Sequence, residues 1–468
     1  MFGWGIAPPE EDPFVGFAAI HPLFEMNATG TEYQISPKRY RFFARDQFPV
    51  VKGERTRRIF CLGGSTVQGR PYSIQTSFTT WMRIGLEERN PETQWEVVNC
   101  GGISYASYRL VPILEEVLQY EPDLIIICTG HNEFLEDRTY AATRDLPTWS
   151  YGSLDWLLRR RLVVIGSQWL RQQQSPQNER GDSRPVLRDE VDAMLDYRNG
   201  IAAYSRDDHW HTGVADHFES NLQRMVERCQ AAGVPLLLLQ PPSNLSGQPP
   251  FKSEHTPGLS EDEIVTCSAQ CHEANALAGT NLTQAITVYR EAVEQNPRHA
   301  QMLFELGRLE QLARYPEARS RLVSARDEDI CPLRMTSSLE VAMQRVAAAN
   351  QVPFVNLHAF LEHKTDSGIL GDEWLVDHVH PSFSGHQEIA IYLIDEFAEQ
   401  GWIGHPGPDW ETRARERFKT HFASLDKTYF HRGQRMLQSL RGWTRGDKDG
   451  KPVEERFPNR VPSPVDAQ

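Results

Sequence analysis

The sequence predicts an α/β protein, a three-layer α/β/α sandwich on a parallel sheet of about five strands, with a helical insert and a C-terminal helix added to it. Two observations lead there. Short runs that are apolar at every position, such as Ile59-Phe60-Cys61-Leu62, Leu124-Ile125-Ile126-Ile127-Cys128 and Leu236 to Leu239, end in glycine or polar turns, as strands buried on both faces do. Between them lie segments whose apolar residues recur every three or four positions, the mark of helices that bury one face. Strands and helices in alternation make a parallel sheet covered on both sides.

The elements follow in order. Residues 1–56, rich in Pro and Phe without a clear period, read as an N-terminal arm lying on a folded body. The first part of the core, 57–257, opens with the strand at Ile59, closes it on Gly63-Gly64, and continues with Phe78, Trp81, Met82 and Gly85 at helical spacing. Val97-Val98 leads into Asn99-Cys100-Gly101-Gly102, and Leu110, Leu114, Val117 and Leu118 line one side of the next helix. The third strand ends in Thr129-Gly130. A cap insertion is expected at about 134–215, where Leu157 to Val164 carries three arginines. That stretch reads as a cap helix with its arginines in water, or as a contact with an anionic membrane surface. Leu222, Met225, Val226 and Cys229 mark a helix stopped by Gly233, before the fourth strand. The second part of the core, 329–403, holds a fifth strand at Phe354 to Leu357 and a helix with Ile389, Leu393 and Phe397.

The insert at 258–328 repeats itself. Ala285, Tyr289, Ala292 and Pro297 have the spacing of the second helix of a tetratricopeptide repeat, Leu303, Leu306 and Gly307 that of the next first helix, and Ala318, Leu322 and Ala325 its second half. Two such units are fewer than a free-standing solenoid needs, so the insert is expected to lean on the core. It offers a protein partner a surface, or is a hairpin that merely packs. In the last part, 404–468, one helix carrying Trp410, Phe418, Phe422 and Leu425 is expected to run to about Trp443, followed by a polar, disordered tail.

Composition excludes several functions. With 49 Lys plus Arg against 63 Asp plus Glu the formal charge is −14, a field that repels nucleic acid. Seven cysteines do not make a disulfide framework; Cys267 and Cys271, at i and i+4, lack the further ligands that zinc needs. No apolar run approaches the ~18 to 20 residues of a membrane span, and Met1-Phe-Gly-Trp-Gly has no basic and apolar regions of a signal peptide.

Polar residues just past strand ends are where such a sheet works. Ser65 stands where the first strand turns into a helix; it reads as a nucleophile or as a helix cap. Asn132 follows the third strand in Gly130-His131-Asn132-Glu133 and reads as an amide donor or a turn former. Asp377 and His380, three apart, let a carboxylate hold an imidazole whose other nitrogen acts as a base. The competing reading is a metal site of Asp377, His378 and His380, for which further ligands are missing. His131, His255 and His386 receive no role and are read as surface or cap histidines.

Taken together, "LGGSTVQG", "VVNCGGISYAS", "PDLIIICTGHNEF" and "VDHVHPSFSGH" resemble, in order, the four blocks of the SGNH hydrolases, also called GDSL-type esterases and lipases. The resemblance covers about 57–135, 217–245 and 350–400. It implies a flavodoxin-like sandwich and a serine esterase without a cofactor, in which Ser65 is the nucleophile, His380 the base and Asp377 its orienting carboxylate. The oxyanion hole would combine the Ser65 backbone N–H, the Asn132 side chain and a backbone N–H from the second block. That donor is usually a glycine; here the position falls on Ser104, with Gly102 as the alternative. Glu133 replaces the commoner Asp, a change read as peripheral. The implied substrate is an acyl ester, with an acetylated carbohydrate as the leading case. The alternatives are a polysaccharide O-acetyltransferase with the same chemistry, and an interaction scaffold on an inactive core. Export or membrane tethering is what the resemblance suggests of compartment.

Overall fold

The computed structural model describes residues 21–136, 200–404, 407 and 409–445. The expected cap helix at Leu157 to Val164 and the tail after Arg445 lie outside the described residues. Five parallel strands form the central sheet: β4 (Thr56–Gly63), β5 (Gln94–Gly101), β6 (Leu124–Cys128), β7 (Leu236–Gln240) and β8 (Phe354–Asn356), in the order β5-β4-β6-β7-β8. β4 and β6, at the middle of the sheet, pair in register from Ile59 with Leu124 to Gly63 with Cys128.

Successive side chains of a strand point to opposite faces, and each strand here feeds two cores. Phe60, Leu62, Ile125, Ile127, Leu236 and Leu238 face α3 (Ser107–Val117), α4 (Asp208–Ala232) and α9 (Ser337–Asn350). Ile59, Cys61, Ile126, Cys128, Leu237 and Leu239 face α2 (Phe78–Arg89), α10 (Leu357–Glu362), α11 (Phe383–Glu399) and α12 (Trp410–Ser424). This is the expected three-layer sandwich, and its two buried faces explain why the strands are apolar throughout.

The stretch before β4 holds more than an extended arm. β1 (Phe24–Met26), β2 (Glu32–Ile35) and β3 (Gln47–Pro49) form an antiparallel sheet, whose Phe24 and Phe48 pack edge-on against Phe60 of β4. The insert is four helices, α5 (Glu261–Ala278), α6 (Leu282–Gln295), α7 (Ala300–Leu312) and α8 (Ala318–Asp327). Ala285, Tyr289, Leu303, Leu306, Leu322 and Ala325 build its own core, which takes in Leu245 and Ile369 from the body. A Cβ on Gly307 would stand 2.8 Å from Leu322, so α7 and α8 touch there.

The C-terminal segment corrects the sequence reading. It is two helices, α12 and α13 (Lys427–Arg445), because Leu425 is extended (φ −72°, ψ 137°) and Asp426 caps the second helix by accepting the Tyr429 N–H at 2.7 Å. Asp favours caps over helix interiors. Among the described residues no helix is long and apolar enough to cross a membrane.

Candidate active site

The carboxyl ends of the central strands bring together residues from distant parts of the chain. β4 ends at Gly63, Gly64 is extended (φ −86°, ψ −157°), and Ser65 is the first residue of the short helix α1 (Ser65–Gln68), where backbone N–H groups have no partner within the helix. The approach of β6 requires glycine at 63, and the Asn132 side chain crowds position 64. A Cβ on Gly63 would lie 2.2 Å from the Cys128 carbonyl oxygen, and one on Gly64 would lie 3.0 Å from Asn132 Nδ2. The Asn132 amide therefore stands beside the turn that carries Ser65.

Asn132 has φ 65°, in the left-handed region that asparagine tolerates. What holds it there is its neighbour. Glu133 is buried and accepts the backbone N–H of Ser107 at 2.8 Å and its hydroxyl at 2.9 Å. Asn221 donates to the same hydroxyl at 3.2 Å. The expectation that Glu133 is a peripheral change is thus corrected: its carboxylate satisfies the first N–H of α3 and ties the Asn132 turn to that helix.

The second block also sorts itself. The Gly102 N–H donates to the Gly63 carbonyl at 2.9 Å, that of Ile103 to Phe42 at 2.9 Å and that of Tyr105 to Gly102 at 3.2 Å. Gly102 is therefore withdrawn as an oxyanion donor, since its N–H holds the ends of β4 and β5 together. The Ser104 N–H makes no hydrogen bond among the described residues, and Ser104 has φ 62°. The serine thus keeps the conformation a glycine would adopt there, at a cost of about 1 kcal/mol.

After β8, the Val376 N–H donates to the His380 carbonyl at 2.9 Å and closes a tight turn. Inside it Asp377 accepts the N–H groups of Val379 (2.9 Å) and His380 (2.8 Å) on one oxygen, while the other faces His380 Nδ1 at 2.7 Å. His380 Nε2 lies 2.7 Å from Ser65 Oγ, across 315 positions of sequence. Burial pushes the Asp377 pKa up, but the adjacent His380 and the two backbone donors outweigh it and hold the carboxyl well below the usual range. With Nδ1–H directed at a carboxylate, the Nε2 lone pair of His380 faces the serine hydroxyl. That geometry can take a proton from Ser65 as its oxygen attacks a carbonyl carbon.

His378 turns away. Its Nε2–H donates to the Pro249 carbonyl at 2.9 Å and its ring stacks on Phe251, so the alternative metal set of Asp377, His378 and His380 is not assembled. Among the described residues no three His, Cys, Asp or Glu side chains cluster as metal ligands. Cys267 is buried in α5, and burial first, then Cys267 nearby, pushes the Cys271 thiol up to about 12.

Two histidines read as surface or cap residues are buried instead. His131 Nε2–H donates to the Pro242 carbonyl at 3.1 Å, and His386 Nδ1 accepts the Phe78 N–H at 3.1 Å. Burial, and then the proximity of His380, pushes each down to about 3. Both stay neutral near His380, where a second cation would oppose the imidazolium. His255, by contrast, is half-exposed and bonded to Asn296.

Sequence reading missed Asn244 and Arg334. Asn244 Nδ2 donates to the Asp377 carbonyl at 3.1 Å and to Asp372 at 2.7 Å, and its N–H donates to the His378 carbonyl at 2.9 Å. Buried Arg334, on the segment leaving the insert, donates to the Asn244 and Gln248 carbonyls at 2.9 and 3.1 Å. The signal for Asn244 was present: it is a polar residue just past the fourth strand.

Residues 61–388 match the model of the GDSL-like Lipase/Acylhydrolase family. No curated protein matches the chain in sequence. Solved structures similar to 74% of this chain include the lipase/acylhydrolase from Enterococcus faecalis, at 13% identity over 96% of that chain with a TM-score of 0.32. Others are Axe2, an acetylxylan esterase from Geobacillus stearothermophilus (14% identity, 95% of that chain, TM-score 0.32), and LAE5, an alpha/beta hydrolase enzyme from the metagenome of Lake Arreo, Spain (14%, 96%, 0.31).

Proposed function

The chain belongs to the GDSL-like Lipase/Acylhydrolase family of ester hydrolases, and from that premise we propose that it cleaves O-acyl esters through a covalent intermediate on Ser65. Ser65 Oγ attacks the ester carbonyl carbon while His380 Nε2 takes the hydroxyl proton. The carbonyl oxygen, now negative, receives the backbone N–H groups of Ser65 and Ser104 and the Nδ2 of Asn132. When the tetrahedral species collapses, the C–O bond to the alcohol breaks and His380 returns its proton to the leaving oxygen. Water then attacks the acyl-serine, His380 accepts the water proton, and the acid departs as Ser65 regains its hydrogen. Asp377 holds the imidazole in the tautomer this needs.

The observation that carries the reading is the pair of 2.7 Å contacts linking Ser65 Oγ to His380 and His380 to Asp377. The substrate class proposed is a small acyl ester, above all an acetyl group on a carbohydrate hydroxyl. The four-helix insert is read as a tetratricopeptide-like pair of hairpins that docks a protein partner, supported by buried Ala285, Tyr289 and Ala292 and by the contact of Gly307 with Leu322. The test compares hydrolysis of p-nitrophenyl acetate by the purified chain and by Ser65→Ala. A loss of about 10³-fold or more supports the nucleophile; equal rates dismiss it.

A further inference from the structure

We propose that the solvent face of α13 is a polyanion-binding strip that holds an acidic, O-acylated polysaccharide beside the Ser65 site. The proposal rests on the esterase reading and narrows its substrate.

Adjacent helices carry their cations in opposite ways. On α12, Arg413 pairs with Glu88 (3.1 Å), Arg415 with Glu388 (2.7 Å), Arg417 with Glu87 (2.9 Å) and Lys419 with Glu416 (2.6 Å). Residues 427–445 include no Asp or Glu at all. Lys427, Arg432 and Arg435 of α13 are exposed, and none has an ion-pair or hydrogen-bond partner among the described residues. A chain of net charge −14 has acids enough to neutralise them. Among the described residues they stand unpaired on one helix, spread over about 12 Å between Lys427 and Arg435. A local positive strip on an acidic body attracts an anion to that place rather than to the surface at large.

The same helix shows what kind of anion fits. A helix that lies on a membrane offers lipid its apolar face, but here the first half of that face packs on the protein. Phe430 packs on Phe422 and Phe383, the Tyr429 hydroxyl lies 2.7 Å from Thr76 Oγ1, and Gly433 sits against the Tyr72 ring. Among the helix's described side chains the exposed ones beside Lys427, Arg432 and Arg435 are polar, among them Thr428, His431, Gln434 and Gln438, while Leu437 and Leu440 are half-buried; that exposed face suits a hydrophilic polyanion. The helix also reaches the site. Arg441 donates to the carbonyl of Val376, next to Asp377, at 3.1 Å. Met436 Sδ accepts from Arg70 at 2.9 Å, and the Arg70 backbone N–H donates to the Ser65 carbonyl at 3.1 Å. No carboxylate of the described residues hydrogen-bonds the Arg70 guanidinium. A uronate-bearing chain laid along Lys427, Arg432 and Arg435 would thus run toward an arginine on the Ser65 loop.

The test is binding of polygalacturonate to the full chain by calorimetry at low salt, beside neutral xylan, phosphatidylserine vesicles and a DNA duplex. The prediction is that polygalacturonate binds, xylan does not, and added salt abolishes binding. The triple variant Lys427→Gln, Arg432→Gln, Arg435→Gln is expected to bind about tenfold more weakly, with its melting midpoint measured to verify the fold. Equal binding of polygalacturonate and xylan, salt-insensitive binding, undiminished binding by a folded triple variant, or tighter binding to vesicles or DNA would each overturn the strip. Hydrolysis of p-nitrophenyl acetate by the unmodified chain separates the two readings. Activity without polygalacturonate binding removes only the strip; binding without activity removes the esterase, and with it the strip's role in holding substrate.

Discussion

Replacing Asp377 by Asn probes the carboxylate that orients His380. Asn retains an oxygen for the backbone N–H groups of Val379 and His380, both of which point at Oδ1. It exchanges Oδ2, 2.7 Å from His380 Nδ1, for an amide that donates. The imidazole must then offer a lone pair at Nδ1 and carry its proton on Nε2, so that it donates to Ser65 Oγ instead of accepting from it. By analogy with the same change in a serine protease triad the loss in kcat is about 10⁴-fold, or roughly 5.5 kcal/mol of barrier. Steady-state kinetics on p-nitrophenyl acetate read it out, with circular dichroism to verify the fold. Stability supplies a second readout. The Asp377 carboxyl is held below its unfolded value of 3.8, so it contributes stability that is present above that pH and lost as pH falls through the folded value. The variant should therefore be less stable than the parent at neutral pH, and the gap should narrow in acid. A folded Asp377→Asn variant that loses less than tenfold in kcat would refute the role given to the carboxylate.

Three further outcomes follow from the geometry. Asn132→Ala removes one oxyanion donor and should lower kcat by about 10²- to 10³-fold with little change in KM, measured on the same ester. Ser104→Gly relieves a left-handed φ of 62° and should raise stability by about 1 kcal/mol in a denaturant titration. His386 has a folded pKa near 3 against 6.5 unfolded, so the unfolded chain takes up its proton first and stability falls as pH drops below 6.5. For His386→Gln the fall in stability between pH 6.5 and pH 5 should be smaller by about 2 kcal/mol.

How much of this was legible in the sequence depends on the kind of signal. The central strands were, because Ile59-Phe60-Cys61-Leu62 supplies both sheet faces in alternation and is closed at once by Gly63-Gly64. Ser65, Asn132, Asp377 and His380 were, because each is a polar residue placed just past an apolar run or before a regular helix. The sheet before β4 was not, since strands of three or four residues are too short to establish a period of two. The break at Leu425-Asp426 was hidden because the helical spacing of Phe418, Phe422 and Leu425 runs straight into it. Burial of His131 and His386 could not be read either, since it arises from elements that meet only in three dimensions. The choice between Ser104 and Gly102 turned on a single backbone bond, from Gly102 to Gly63, which side-chain chemistry does not encode. Asn244 stands just past the fourth strand and could have been found there, whereas Arg334 acts through backbone carbonyls, and the exposed cations of α13 stand out only once the pairing of α12 is known.

The account stands on a covalent bond forming at Ser65 Oγ. Mixing the chain with excess p-nitrophenyl acetate, quenching in acid within the first turnovers and mapping the peptides by mass should place one acetyl group on Ser65. The same experiment with His380→Ala should leave that peptide unmodified. Acetylation elsewhere, or steady turnover with Ser65 bare throughout, would contradict it.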